Sequence, residues 1–490
     1  MKKFLVAAFM IIFNNWAYTQ ILEKDIRLFP GFDSTLYPFY FGIASGDADS
    51  NSCVIWTKIV PKIHYRSIDV YWEVALDTNF KNIIKKGKIR TDPSLNYIVK
   101  LKITGLKSAT EYYYRFKAWR YYSPWGRLKT LPSMQDTSPN ITFAVFTGSN
   151  YAMGYFNVYR EISKHPEIDF LIHTGDYIYE YPPGSLKKEF RKVCPKNNLI
   201  TYQDYDIRYA CYRLDKDLQQ AHRLFTWYVI WDDHEFATNA WKSGSQENIS
   251  NNLWWKRKHN ALKAYFNWLP ILPTNDTEIY RSFDAGKLAR LIFIDTRVEG
   301  RDWQKIPIND TTKKIMSTKQ WEWLFNKIQT ANNNWIFIIE QVMFAPLKYR
   351  KKILNTDQWD GYPHERKKLL SFLYNHKIEN AIIISGDLHS SMANELYFHN
   401  HMISAELMAP SITSRAIDGL KALLAKHILR LYNPQIRFLD FTHRGYLLIT
   451  VKDSQLEAKW ILLNTVRQHK YRIHKIKKMK LKNRPIRFVK

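Results

Sequence analysis

Residues 168–180 read IDFLIHTGDYIYE, an apolar run that halts at Gly175 and delivers Asp176. An apolar run without alternation suits a strand buried on both faces of a sheet. Open α/β sheets place their chemistry just beyond the carboxyl ends of such strands. The same grammar returns twice. Residues 226–230 run into Trp231-Asp232-Asp233-His234-Glu235, and residues 381–384 run into Ser385-Gly386-Asp387-Leu388-His389. If the three strands are parallel neighbours, their carboxylates and imidazoles converge. Such groups, gathered without a surplus of nearby Lys or Arg, point to a metal centre.

With 490 residues, the chain is too long for one compact core, and two or more domains are expected. Residues 52–59, 68–75, 97–103 and 111–119 are short, alternating and rich in Val, Ile, Tyr and Trp, with turn signals between them. That spacing predicts a small antiparallel sandwich of the immunoglobulin or fibronectin kind over residues 20–133, behind a leader segment. Residues 106–112 read as a fibronectin-type corner before the Tyr-rich strand. Residues 133–140 form a linker. Beyond it, strands at 142–146, 288–294 and 335–339 alternate with helices at 203–222, 319–330 and 363–374, the pattern of an α/β domain over 138–466. Further strands are expected at 397–407, 446–451 and 456–463. Residues 467–490 are basic, carry no acid, and read as a solvated tail or an arm for anionic surfaces.

The formal net charge of +28 favours anionic partners such as phosphate esters, nucleic acid or acidic lipid, unless it reflects only a compositional taste for Lys. No zinc finger, basic zipper or RNA-binding signature is present, so nucleic-acid recognition is not the expected role. Lys2 and Lys3 precede an apolar run at 4–13, and Ala17-Tyr18-Thr19 precedes Gln20. This is the layout of a cleaved secretory signal over residues 1–19, too short to span a bilayer, and it predicts a periplasmic or secreted protein. No later stretch is apolar enough for a membrane helix, and a monomer is expected. Of Cys53, Cys194 and Cys211, the last two either pair or remain free thiols.

Taken in order, Gly175-Asp176-Tyr177-Ile178-Tyr179-Glu180, Trp231-Asp232-Asp233-His234-Glu235, Trp359-Asp360-Gly361-Tyr362-Pro363 and Gly386-Asp387-Leu388-His389 resemble the PhoD-type alkaline phosphatases, within the calcineurin-like metallophosphoesterases. Residues 41–59, FGIASGDADSNSCVIWTKI, are similar to the opening of that family's β-sandwich, and the likeness runs over residues 41–465. The resemblance implies a multidomain α+β/α/β protein: an N-terminal immunoglobulin/fibronectin-like β-sandwich followed by a four-layer α/β/β/α metallophosphoesterase domain. It implies a two-cation centre hydrolysing phosphate monoesters, and often diesters, at alkaline pH. By the same resemblance Asp176 is shared between the cations, Tyr179 lies on the iron side, Asp233 lies on the calcium side, and Asp387 and His389 complete the set. Where the family supplies a cysteine thiolate to ferric iron, this chain has Ser149. A neutral hydroxyl is a far poorer iron ligand, which leaves calcium, ferric iron and other divalent ions open there. The oxygen-rich set suits such ions better than a structural zinc.

His234, following Asp233, is expected to stabilise the transition state or protonate the leaving oxygen, worth on the order of 10²–10⁴-fold. Glu235 either orients that imidazole or accepts structural hydrogen bonds. Arg297 either reaches a phosphate or makes a structural ion pair. Asn150 and Tyr151 are expected at the substrate, with core packing the alternative for Tyr151. The alternatives to a monoesterase are a phosphodiesterase or phospholipase D-like enzyme, and a low-activity phosphate-binding relative.

Overall fold

A computed structural model describes residues 20–489, apart from 138, 139, 248, 274, 276 and 415–419. The expected signal at 1–19 lies outside the described residues. The apolar runs ending in acids are strands, and they lie in two different sheets. Ile141–Phe146, Phe170–His173 and Thr226–Val229 are parallel neighbours in the middle of a ten-stranded sheet. Ala381–Ser385 lies instead in a seven-stranded sheet, parallel to Trp335–Ile339 and His401–Met408. Two of the three acid-bearing strands are therefore neighbours, and the third reaches the site from the facing sheet.

Burial on both sides explains why these strands are continuously apolar. In the seven-stranded sheet Phe293, Phe337, Ile339, Ile382 and Ile384 join the core of the larger sheet, where Phe337 meets Phe143 edge-on at 5.5 Å. Their alternates Ile292, Ile336, Ile338 and Ile383 pack outward, onto Trp321, Leu324 and Ile328 of the helix Thr318–Gln329 and Leu369 and Leu373 of the helix Pro363–Asn375. Both helices stand where the sequence places them, within a residue or so of 319–330 and 363–374. The helical stretch expected at 203–222 is broken in two, Tyr202–Arg213 and Lys216–Leu224, because Asp215 caps the second by accepting the N–H groups of Asp217 and Leu218.

The first hundred residues are not detached from this framework. Ile43–Gly46 pairs parallel to Thr226–Val229, with Ser45 opposite Thr226, and it carries Ser52–Lys58 and Ile98–Thr104 onto the edge of the large sheet. Ile68–Ala75, Ile83–Thr91, Glu111–Ala118, Tyr121–Tyr122 and Gly126–Lys129 form a separate five-stranded sheet. The Tyr112 hydroxyl accepts the Lys107 N–H at 2.8 Å, which closes the corner anticipated at 106–112.

Two readings are corrected, and one left open is decided. The basic stretch from 467 is not a loose tail: Ile473–Lys482 pairs along Gln455–Leu463, and Arg487–Val489 pairs with it in turn. Met479 and Leu481 turn inward while Lys478, Lys480 and Lys482 face solvent, so the lysines are the exposed face of a strand next to the sheet's edge. The single strand expected at 397–407 is a hairpin, Ser391–Phe398 and His401–Met408, turning at His399 and Asn400, both at positive φ. All three cysteines are free, although Cys194 and Cys211 sit thiol to thiol within hydrogen-bonding reach.

Candidate metal centre

After Phe170–His173 the backbone turns through Gly175 at φ 104°, where a Cβ would lie 2.5 Å from the Asp232 backbone nitrogen. Only glycine lets the two strand-end loops touch. Asp176 follows at φ 61°, and across the site Asp387 and His389 have φ of 57° and 53°. Left-handed conformations at non-glycine residues cost on the order of 1–3 kcal/mol each, and they persist where the surroundings over-determine them. Glu235 is part of that surrounding. Its buried carboxylate accepts the N–H of Asp232 at 2.7 Å, of Asp176 at 3.0 Å and of Tyr177. Glu235 is thus a backbone acceptor, and the residue that orients His234 is Glu180, 2.7 Å from its Nδ1.

The expected residues meet. The Tyr179 hydroxyl donates to Asp176 Oδ2 at 2.6 Å and lies 2.9 Å from His389 Nε2, which is 3.1 Å from the same Asp176 oxygen. Ser414 Oγ donates to the Tyr179 hydroxyl at 2.5 Å. Potential ligand atoms of Asp176, Asp233 and His234 lie within 4.8 Å of one another, as do those of Asp232, Asp233 and Asp387. Beneath them Arg297, wholly buried, pairs with Asp232, with Asp357 and Asp387 at 2.7 Å, and more distantly with Asp233 at 3.8 Å.

One guanidinium does not balance this crowd of acids. Burial pushes the Asp387 carboxyl up to about 6 and the Asp232 carboxyl well above its usual range, although Arg297 pulls both the other way. Asp176 Oδ1 and Asp232 Oδ2 are buried without a hydrogen-bond partner. Orphaned carboxylate oxygens beside an imidazole and a phenol are a fitting donor set for hard cations. For the His234 imidazole, burial opposes the charged form, but Asp233, Glu180 and Asp176 outweigh it and hold the pKa well above the ordinary value.

Other expected residues fall elsewhere. The Ser149 hydroxyl is engaged by the Tyr159 hydroxyl at 2.7 Å and His173 Nε2 at 3.0 Å, and its N–H donates to the Asp176 carbonyl. Arg297 meets carboxylates and is closed off from the cleft, so the ion-pair alternative is the one seen. Tyr151 packs in the core with the Arg191 guanidinium 3.6 Å above its ring, whereas Asn150 does line the cleft. Glu180, Asp232, Asp357 and Ser414 were not singled out from sequence. Glu180 and Asp232 at least stand inside the motifs, but Ser414 follows a strand with no acidic signal.

Two buried histidines, His173 beside Ser149 and His222 beside Tyr177, each work against the fold in acid. His173 Nδ1 accepts the Gly175 N–H at 3.1 Å, so its proton sits on Nε2 and faces Ser149 Oγ. Burial pulls the His173 pKa down to about 3, and burial, with Arg213 and His173 adding, holds His222 well below its usual value. Both rings fold neutral, whereas the unfolded chain protonates them near pH 6.5. At these two sites the unfolded state binds more protons from pH 6.5 down toward 3, so their contribution to stability rises with pH across that window. Each ring should cost about 1.4 kcal/mol per pH unit below 6.5. Buried carboxyls held high, Asp232 and Glu235 among them, pull the other way, so the test is a difference: the stability of wild type relative to a His173→Gln/His222→Gln variant is expected to fall by roughly 4 kcal/mol between pH 7 and 5. A difference that does not change with pH contradicts the assignment.

Tyr179, His234, His389 and Ser414 line a cleft of about 700 Å³, with Lys187 and Lys188 on its wall. No helix among the described residues is long and apolar enough to cross a membrane. Residues 143–460 match the family profile "PhoD-like phosphatase", and residues 30–132 match "PhoD-like phosphatase, N-terminal domain". The chain is 33% identical over 465 residues to alkaline phosphatase D of Bacillus subtilis (strain 168), covering 89% of this chain and 79% of that protein. A solved structure titled "Structure of PhoD" superposes with a TM-score of 0.85 at 30% identity, covering 94% of this chain and 93% of the other. With the acids gathered at the strand ends and both profiles matched in order, the chain belongs to the PhoD-like phosphatase family and is a phosphoric ester hydrolase.

Proposed function

We propose that the protein is an exported alkaline phosphatase that hydrolyses phosphate monoesters with a two-cation centre held by Asp176, Tyr179, Asp233, Asp387 and His389. The observation that carries this is the convergence of buried and half-buried acids from both sheets, with unpartnered oxygens on Asp176 and Asp232. When bound, the cations would neutralise the ester and lower the pKa of the attacking water. Asp176 stands between the Tyr179–His389 pair and the Asp233 side, which suits a carboxylate shared by two ions. The Ser149 hydroxyl is turned to Tyr159 and His173, so Tyr179, Asp176 and His389 would hold the first cation without it. The reading extends to a sandwich-like N-terminal domain and a layered α/β/β/α catalytic domain, in keeping with the two facing sheets and the helices packed outside them.

His234 lines the cleft, and Glu180 fixes its Nδ1, which leaves Nε2 for a bound ester. A ring held protonated by three carboxylates is suited to stabilise charge on the phosphate and to deliver a proton to the leaving oxygen. His234→Gln should lower kcat by about 10²–10⁴-fold with metal content unchanged. Retained kcat in that variant removes His234 from the chemistry.

The direct test of the whole reading is elemental analysis of protein purified without added metal, followed by chelation. Two equivalents of tightly held cations per chain are expected, with activity on an aryl phosphomonoester lost on chelation and restored by re-addition. A metal-free preparation with full activity refutes the two-cation centre. Comparing a bis-aryl diester in the same buffer sets the monoester preference, and the export assignment is checked by mass analysis of the mature N-terminus, expected at Gln20.

A further inference from the structure

Away from the cleft, the helix Leu420–Tyr432 presents an apolar stripe to solvent. Leu424, Ile428 and Leu431 are 58, 42 and 77% exposed, and their i, i+4, i+7 spacing puts them on one face. The helix is held by another side: Leu429 is buried, and Ala425 packs on the core beneath the seven-stranded sheet. Three large aliphatic side chains aligned in water call for a partner surface.

A neighbouring hairpin supplies the chemistry of that partner. Lys348–Tyr349 and Lys352–Ile353 pair antiparallel around the turn Arg350-Lys351, and the Tyr349 ring meets Tyr432 of the helix edge-on at 5.3 Å. Lys348, Arg350, Lys351 and Lys352 are all exposed, as is Arg430 on the helix. Leu354, just past the hairpin, is 48% exposed, and Tyr349 and Tyr432 are partly exposed too. Leucine and isoleucine flanked by tyrosines and ringed by Lys and Arg match the depth profile of a lipid interface, with acyl boundary, carbonyl belt and anionic headgroups in turn. A protein partner would need its own acids in register with five separate cations, whereas an anionic bilayer offers them everywhere.

We propose that the helix Leu420–Tyr432 and the hairpin around Arg350 together form a peripheral docking surface for anionic lipid membranes. The proposal is independent of the two-cation reading, since no residue of the surface belongs to the site.

The test is co-sedimentation of the full mature chain with large unilamellar vesicles of phosphatidylcholine alone or with phosphatidylglycerol. Binding is expected to the mixed vesicles, weak to the neutral ones, and weakened by salt, since each basic side chain near such a surface multiplies partitioning roughly fivefold. Because a chain of charge +28 adheres to anions in general, the deciding variant keeps the charge. Leu424→Ser/Ile428→Ser/Leu431→Ser should reduce partitioning at least tenfold and leave hydrolysis of a soluble aryl phosphate unchanged, which also shows that it folds. Arg350→Ser/Lys351→Ser/Lys352→Ser should reduce binding to the anionic vesicles alone. Undiminished binding of the triple serine variant overturns the proposal. So does a dimer in sedimentation equilibrium that this variant abolishes, because the stripe would then belong to a second copy.

Discussion

Asp176→Ala is expected to abolish phosphatase activity, with a fall on the order of 10³-fold or more in kcat/KM. The residue does three things at once. Its Oδ2 receives the Tyr179 hydroxyl and lies beside His389, its Oδ1 is buried without a partner, and its charge helps keep His234 protonated. Removing it separates Tyr179 and His389 from the Asp233 side. Metal content should fall together with activity. The variant also loses the Oδ2 contacts to Tyr179 and His389, so its metal-free form should melt somewhat below the wild-type metal-free temperature. Undiminished turnover by this variant would mean that the chemistry lies elsewhere in the molecule.

Arg297→Met should be the most destabilising change near the site. The guanidinium is wholly buried and contacts Asp232, Asp357 and Asp387, with Asp233 close by. Methionine matches much of the stem but leaves these carboxylates without their cation. Breaking a buried ion pair from one side costs about 3–5 kcal/mol, and several partners are stranded here. At roughly 1 kcal/mol per kelvin of unfolding entropy for a chain of this size, the melting temperature should fall by about 3–5 °C or more. Added divalent cations should recover part of that loss, since they supply the missing charge. Arg297→Lys should land between, because one ammonium cannot span Asp232, Asp357 and Asp387 together. A melting temperature for Arg297→Met equal to wild type under chelation would show that the acids do not need it.

The strand-end acids were legible because a strand buried on both faces leaves a long apolar run, and although Gly-Asp after one such run is common, acids after three separate runs are not. Which glutamate served which partner was not legible. Glu235 adjoins His234 in sequence, but neighbours in a tight loop point apart. Glu235 turns back onto the backbone of its own strand end and of Asp176, and Glu180 arrives from the adjacent loop to hold the imidazole. Arg297 posed the opposite problem: an arginine at a strand end looks the same from sequence whether it faces a cleft or sits beneath four acids. The helix Asn251–Trp268 was missed because its buried stripe of Trp254, Arg257, Ala261, Tyr265 and Trp268 has a charged residue in its second position. Arg257 pairs there with Glu247 and the Tyr205 hydroxyl, a tertiary fact invisible in the periodicity. The lysine-rich C-terminal strand hid for a related reason, since its polar face outweighs the few apolar residues turned inward.

Because Asp176 and Asp233 hang from one sheet and Asp387 and His389 from the other, the ions would act as rivets across the seam between two slabs. A slip of one ångström along that seam is enough to spoil a near-attack geometry by about 10²-fold. Warming or mild denaturant should therefore silence the enzyme while its strands and helices still stand. Substitutions far out in the facing aromatic layer, around Phe143 and Phe337, should register first as lost turnover rather than as lost structure.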